Sequence, residues 1–139
     1  MQEAMAGMST KTSAWTEQMA TVALILNNAE APVRTAHYQP RENDNGYLTI
    51  RGGVDGDCVI HCRADRYSNK GRWEFDIAYP RAADNTLMIP SLGQFRPSIT
   101  VSASKTSDRI ARDIEKRFLS DAAQVYAEEL ARAVEHDTH

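Results

Sequence analysis

The chain has 139 residues, 42% hydrophobic and 25% charged, enough for one domain with its own core and short for two. Its formal charge of −3 and pI of about 5.8 exclude proteins that hold nucleic acid by bulk positive charge. The longest apolar run, Val22–Leu26, is far short of the about 20 residues that cross a bilayer, so no membrane partner is expected.

Residues 1–12 are small, Met-rich and polar, with no basic segment leading into an apolar one as in a secretory signal. They are expected to be disordered, ahead of a single α+β domain over residues 13–139, in a cytoplasmic protein. Ser13 is placed to cap a helix over Ala14–Asn27, in which Trp15, Met19, Val22, Ala23 and Leu26 recur at helical spacing. Asn27 and Asn28 are suited to end it in a left-handed conformation, and Pro32 stops its continuation.

Strands are expected over Val33–Tyr38, Tyr47–Arg51, Cys58–Arg63, Arg72–Tyr79 and Ile99–Ala103. The clearest alternates Trp73, Phe75, Ile77 and Tyr79 with Arg72, Glu74, Asp76 and Ala78. The separators Asp44–Gly46, Gly52–Asp57 and Ser68–Gly71 contain residues that tolerate positive φ, and links this short imply an antiparallel meander. Leu87–Ile89 is a further brief strand candidate between Pro80 and Pro97.

Thr106 is placed to cap a last helix whose Ile110, Ile114 and Phe118 form an apolar stripe. Lys105, Arg109, Arg112 and Lys116 fall on the opposite side, within about 60° of one another. A straight helix would put Leu119 on this basic stripe, and Ser120 can cap a second piece. The expectation is therefore two segments, Ser107–Leu119 and Asp121–His136. The fold class that results is α+β: a four- to five-stranded, mostly antiparallel meander with N- and C-terminal helices packed on one face. The other face carries Tyr47, Thr49, Arg51, His61, Arg63, Arg72, Glu74, Asp76, Thr100 and Ser102, a polar surface open to solvent or a partner.

Three chemistries can be weighed on these residues. Cys58 and Cys62 stand four apart on one strand, about 13 Å end to end, too far for a disulfide or one shared ion, with His61 on the opposite face. They are expected to be reduced, buried thiols, and neither a metal nor a cofactor is implied. Glu74 and Asp76 share a face about 7 Å apart, near His61 and Arg72. Such a trio could hold a divalent ion, but no further acid cluster backs it, and the favoured reading is a cross-strand ion network with Arg51, Arg63 and Arg72. The basic stripe, together with Tyr47, Arg51, Arg63 and Arg72, could meet a phosphate backbone. Against this, Asp108, Asp113 and Glu115 stand at pairing distance from Arg109 and Arg112 along the same helix.

Val101-Ser102-Ala103-Ser104, followed by Ile110–Leu119 in the pattern I-A-x-D-I-x-R-R-x-L, resembles the C-terminal halves of small uncharacterised phage and mobile-element proteins, departing at Lys116 and Phe118. The resemblance implies an origin and brings no catalytic residues. The function expected is a non-enzymatic interaction protein binding a host protein or nucleoprotein complex, with nucleic acid a further partner class. A defence inhibitor such as an anti-CRISPR falls within that reading. The binding residues would be Lys105, Arg109, Arg112 and Lys116 on the helix, with Arg51, Arg63, Arg72 and Tyr47 on the sheet. The alternative is a small nucleic-acid- or nucleotide-processing enzyme using His61, Glu74 and Asp76. The sequence leaves the oligomeric state open.

Overall fold

The computed structural model describes residues 13–65, 71–78 and 97–137, with side chains up to 131. The expectations for residues 1–12, Leu87–Ile89 and Tyr79 lie outside these residues. The described elements run α1 (Ala14–Leu26), β1 (Arg34–Pro40), a short 3-10 turn (Glu42–Asp44), β2 (Gly46–Gly52), β3 (Cys58–Asp65), β4 (Arg72–Ile77), β5 (Ser98–Ser102), α2 (Ser107–Arg117) and α3 (Leu119–Asp137). The five strands form one antiparallel sheet in sequence order, an α+β fold with helices on one face.

The alternation in the strands decides which face the helices cover. Leu48, Ile50, Cys58, Ile60, Cys62, Trp73, Phe75 and Val101 are buried on one side of the sheet. They pack with Met19, Val22, Ala23 and Leu26 of α1, Ile110, Ala111 and Ile114 of α2, and Ala122 and Ala123 of α3. Cys58 and Cys62 are free buried thiols. Burial pushes Cys58 up to about 12 and Cys62 well above its usual value, which leaves both un-ionised and unreactive near neutrality.

Each helix end has a local cause. The Ser13 hydroxyl accepts from the Thr16 amide (3.1 Å), and the Thr106 hydroxyl accepts from the Arg109 amide (3.2 Å). At the end of α1 the sequence expectation fails, because Asn27 is extended (φ −66°, ψ 140°) rather than left-handed. Its side chain works instead on the exposed edge of β1. The Asn27 Nδ2 donates to the Ala36 carbonyl (3.2 Å), and its Oδ1 accepts from the Ala36 amide (3.1 Å). Next to it, Asn28 and Arg34 exchange backbone bonds of 2.8 and 2.9 Å. With Pro40 lacking an amide hydrogen, most of this edge is closed to further strand pairing.

In the β1–β2 link positive φ falls on Asp44 (65°), within the expected separator, and on Asn43 (61°) just before it, but not on Gly46. Gly46 is needed because the Tyr38 ring lies across it. A Cβ there would stand 2.3 Å from the Tyr38 hydroxyl oxygen. In the β2–β3 turn Gly52, Gly53 and Gly56 do take positive φ, as the sequence indicates.

The last helix breaks at Phe118 (φ −134°, ψ −41°), two residues before the expected position at Ser120. The reason is packing. Phe118 (2% exposed) and Leu119 (1%) are adjacent and both belong in the core, whereas a straight helix would send Leu119 to the solvent side.

One side chain ties the helical layer to the sheet. The Gln18 Oε1 accepts from the indole nitrogen of the fully buried Trp73 (2.7 Å). Its Nε2 donates to the carbonyls of Ala103 (2.8 Å) and Lys105 (3.2 Å) at the start of the β5–α2 link. Gln18→Leu orphans the buried indole N–H and two carbonyls, and is expected to cost about 2–3 kcal/mol in urea unfolding. The Tyr38 hydroxyl is buried without a hydrogen-bond partner among the described residues. Tyr38→Phe removes that desolvated group and is expected to hold or raise stability by up to about 1 kcal/mol, read from the same urea curves.

Candidate functional site

The residues singled out in the sequence fall on two separate surfaces. Tyr47, Arg51, His61, Arg63, Arg72, Glu74 and Asp76 share the polar face of the sheet. Arg109, Arg112 and Lys116 point away from the core on the far side of the helical layer. The core lies between them, so they do not form one binding surface.

On the sheet, register brings the polar residues into rows. Gln39, Tyr47, His61, Asp76 and Ser98 are successive cross-strand partners, and Arg63, Glu74 and Thr100 form the next row. The Tyr47 and His61 rings stack (centroids 4.9 Å apart, 22° between planes), and the Arg41 guanidinium stands 5.5 Å from the Tyr47 centroid. The His61 Nδ1 is 3.8 Å from an Asp76 oxygen, beyond hydrogen-bond distance. Arg63 settles the acid pair: its Nη2 stands 2.9 Å from both Glu74 and Asp76. This is the ion network foreseen for Arg63. Arg51 departs from it and turns to Asp57 at 4.0 Å, while Arg72 sits opposite Asp65 in the ladder. Among the described residues no group of three or more His, Cys, Asp or Glu is arranged to hold a metal ion.

The helix surface differs from its sequence reading. Asp113 and Glu115 do not pair with Arg109 and Arg112. Asp113 takes the Lys105 ammonium at 2.9 Å, and Glu115 takes the guanidinium of Arg34 from β1. Lys105 therefore leaves the stripe. Arg109, Arg112 and Lys116 remain exposed, and none of the three makes an ion pair among the described residues. They span about 10 Å of helix axis and about 60° of its circumference. Asp108 stays in the first turn, where the positive end of the helix favours it.

Arg34, Arg41 and Gln18 were not visible as functional or organising residues in the sequence. Arg34 and Glu115 lie 81 positions apart, and no local pattern links them. The Tyr47–His61 pairing had a signal: equal phase on the polar face of two strands joined by a glycine-rich turn. No protein-family model, curated protein or solved structure matches the chain. Among the described residues no helix is long and apolar enough to cross a membrane.

Burial pushes the His61 imidazole below its ordinary value of 6.5. Asp76 pulls it upward, Arg63 lowers it further, and Glu74 raises it. A lowered folded value means that the unfolded chain binds this proton first. The stability contributed by neutral His61 is therefore full above pH 6.5 and lost as pH falls below it toward the folded value. His61→Gln is expected to flatten the fall in unfolding midpoint between pH 7.5 and 5.5. An unchanged slope would contradict this assignment.

Proposed function

We propose that this chain is a non-enzymatic interaction protein that docks on an anionic surface of a host protein or nucleoprotein complex through the α2 ridge. The observation that carries this reading is the release of Arg109, Arg112 and Lys116 from their own helix's acids. Lys105 and Arg34 hold Asp113 and Glu115, so three exposed cations stand together on a helix anchored by Ile110, Ala111 and Ile114. On a chain of net charge −3, this is a local positive feature against a negative background, which favours one oriented contact over diffuse binding.

The polar sheet face offers less, because Arg63 is engaged by Glu74 and Asp76. That engagement also weighs against the enzymatic alternative, since a carboxylate pair occupied by a guanidinium is not available to a metal or a reacting proton. The narrower form of the reading is a phage-type inhibitor of a host defence complex, such as an anti-CRISPR. It draws on the resemblance over Val101–Leu119 and on the small size of the chain.

The test is affinity capture from bacterial extract with three baits: the wild type, Arg109→Glu/Arg112→Glu/Lys116→Glu, and Arg51→Glu/Arg72→Glu. The same partner is expected with the wild type and the sheet variant, and at least ten-fold less with the ridge variant. Equal capture by the ridge variant, or metal-dependent nucleic-acid cleavage abolished by His61→Ala, would overturn the reading.

A further inference from the structure

The α2 ridge is specific enough in composition to name the chemistry of its partner. We infer that it recognises the sugar–phosphate backbone of a nucleic acid, touching no more than three phosphates and reading no bases. This deepens the docking role proposed for the ridge and rests on it.

The ridge has no apolar centre. The exposed positions of α2 are Asp108, Arg109, Arg112, Glu115, Lys116 and Arg117, with no apolar residue among them. The exposed large hydrophobics of the described chain are Leu24 and Ile25 on α1, Val33 before β1, and Val54 in the β2–β3 turn. Protein partners are held by a desolvated apolar or aromatic centre with a polar rim around it, and α2 presents only the rim. A phosphate backbone needs no such centre. Cations that displace its condensed counterions supply the affinity, and these interfaces are polar and positively charged throughout.

The identity and placement of the cations suit phosphate. Two of the three are arginines, whose planar guanidinium matches phosphate oxygens in a two-pronged fashion. Three successive phosphates of one duplex strand cover about 7 Å of rise, within reach of long side chains spread over about 10 Å of helix.

Neighbouring charges set the size of the footprint. On the flanks Glu115 and Asp113 are compensated by Arg34 and Lys105, while the exposed Asp108 bounds the ridge at the start of the helix. Past the break at Phe118, however, the exposed side of α3 carries Asp121 and Glu128. These oppose any continuation of a polyanion along the helical layer. Contact is therefore confined to the length of α2, and with no exposed aromatic side chain on that helix it stops at the backbone.

The experiment is fluorescence anisotropy with a labelled 20-base-pair DNA duplex of random sequence, a single-stranded RNA of equal length, and polyglutamate of matched charge. Titrations run between 50 and 200 mM salt. Both nucleic acids are expected to bind regardless of sequence, with log–log salt slopes near −2.7 for the duplex and about −2 for the single strand. The duplex slope corresponds to a loss of affinity of about 40-fold across that range. Arg112→Gln is expected to reduce the duplex slope by about 0.9, and Arg109→Glu/Arg112→Glu to cut affinity at 50 mM at least ten-fold. Arg72→Glu on the opposite side of the molecule should change nothing, and polyglutamate should bind at least ten-fold more weakly. No nucleic-acid binding at 50 mM, or binding indifferent to Arg109→Glu/Arg112→Glu, overturns the inference. If polyglutamate binds through the ridge while both nucleic acids do not, the phosphate assignment fails and the docking role stands. If none of the three polyanions binds, both fail.

Discussion

Arg34 is the side chain on which most of the architecture turns. Its Nε donates to the Leu26 carbonyl at 2.6 Å, satisfying an orphaned acceptor at the end of α1, and its guanidinium reaches Glu115 on α2. Its backbone meanwhile pairs with Asn28 along the β1 edge. One residue thus joins the first helix, the edge strand and the second helix. Its side chain is only 17% exposed. The guanidinium therefore depends on these partners, because a largely desolvated charge left unpaired would destabilise the region it now organises.

The same contact has a consequence at the surface. By holding Glu115, Arg34 keeps a carboxylate from neutralising the ridge, and Lys105 does likewise for Asp113. A helix that looks self-compensated in sequence, with acids and bases at i, i+3 and i+4, becomes one in which Asp113 and Glu115 are taken by cations from outside the helix and Arg109, Arg112 and Lys116 are left exposed. The sheet does the reverse. There Arg63 bridges Glu74 and Asp76, Tyr47 stacks on His61 beneath Arg41, and cross-strand charges compensate one another. The sheet face thus has its carboxylate pair held by Arg63, and α2 carries a short basic ridge with no ion pair among the described residues.

The alternation of Trp73, Phe75 and Ile77 and of Cys58, Ile60 and Cys62 was readable because side chains alternate strictly along a strand, and a half-covered sheet imposes that period on its residues. The break near Leu119 was readable because two adjacent bulky apolar residues cannot both face the core of one straight helix. Asn27 does not take the left-handed stop that its residue type suggests. Its intrinsic tolerance of that conformation lost to two hydrogen bonds with Ala36, one donated by its Nδ2 and one accepted by its Oδ1, which exist only once β1 lies alongside. The ion pairs of α2 were misread for a similar reason. Local spacing offered partners worth a few tenths of a kcal/mol each, and less exposed cations brought in by the fold displaced them.

What the sequence by itself determined is the set of elements, their order and the faces they bury, since these follow from periodicity, capping side chains and turn residues acting over a few positions. Only the tertiary structure decided how charge is distributed between the two surfaces. That depends on Arg34 meeting Glu115, Lys105 meeting Asp113, and Arg63 lying between two carboxylates across a strand pair. Each pairing joins different elements or more than one turn of chain. Electrostatic attraction acts on distance in space, and the positions that chain folding brings together for this purpose leave no periodic trace in the sequence.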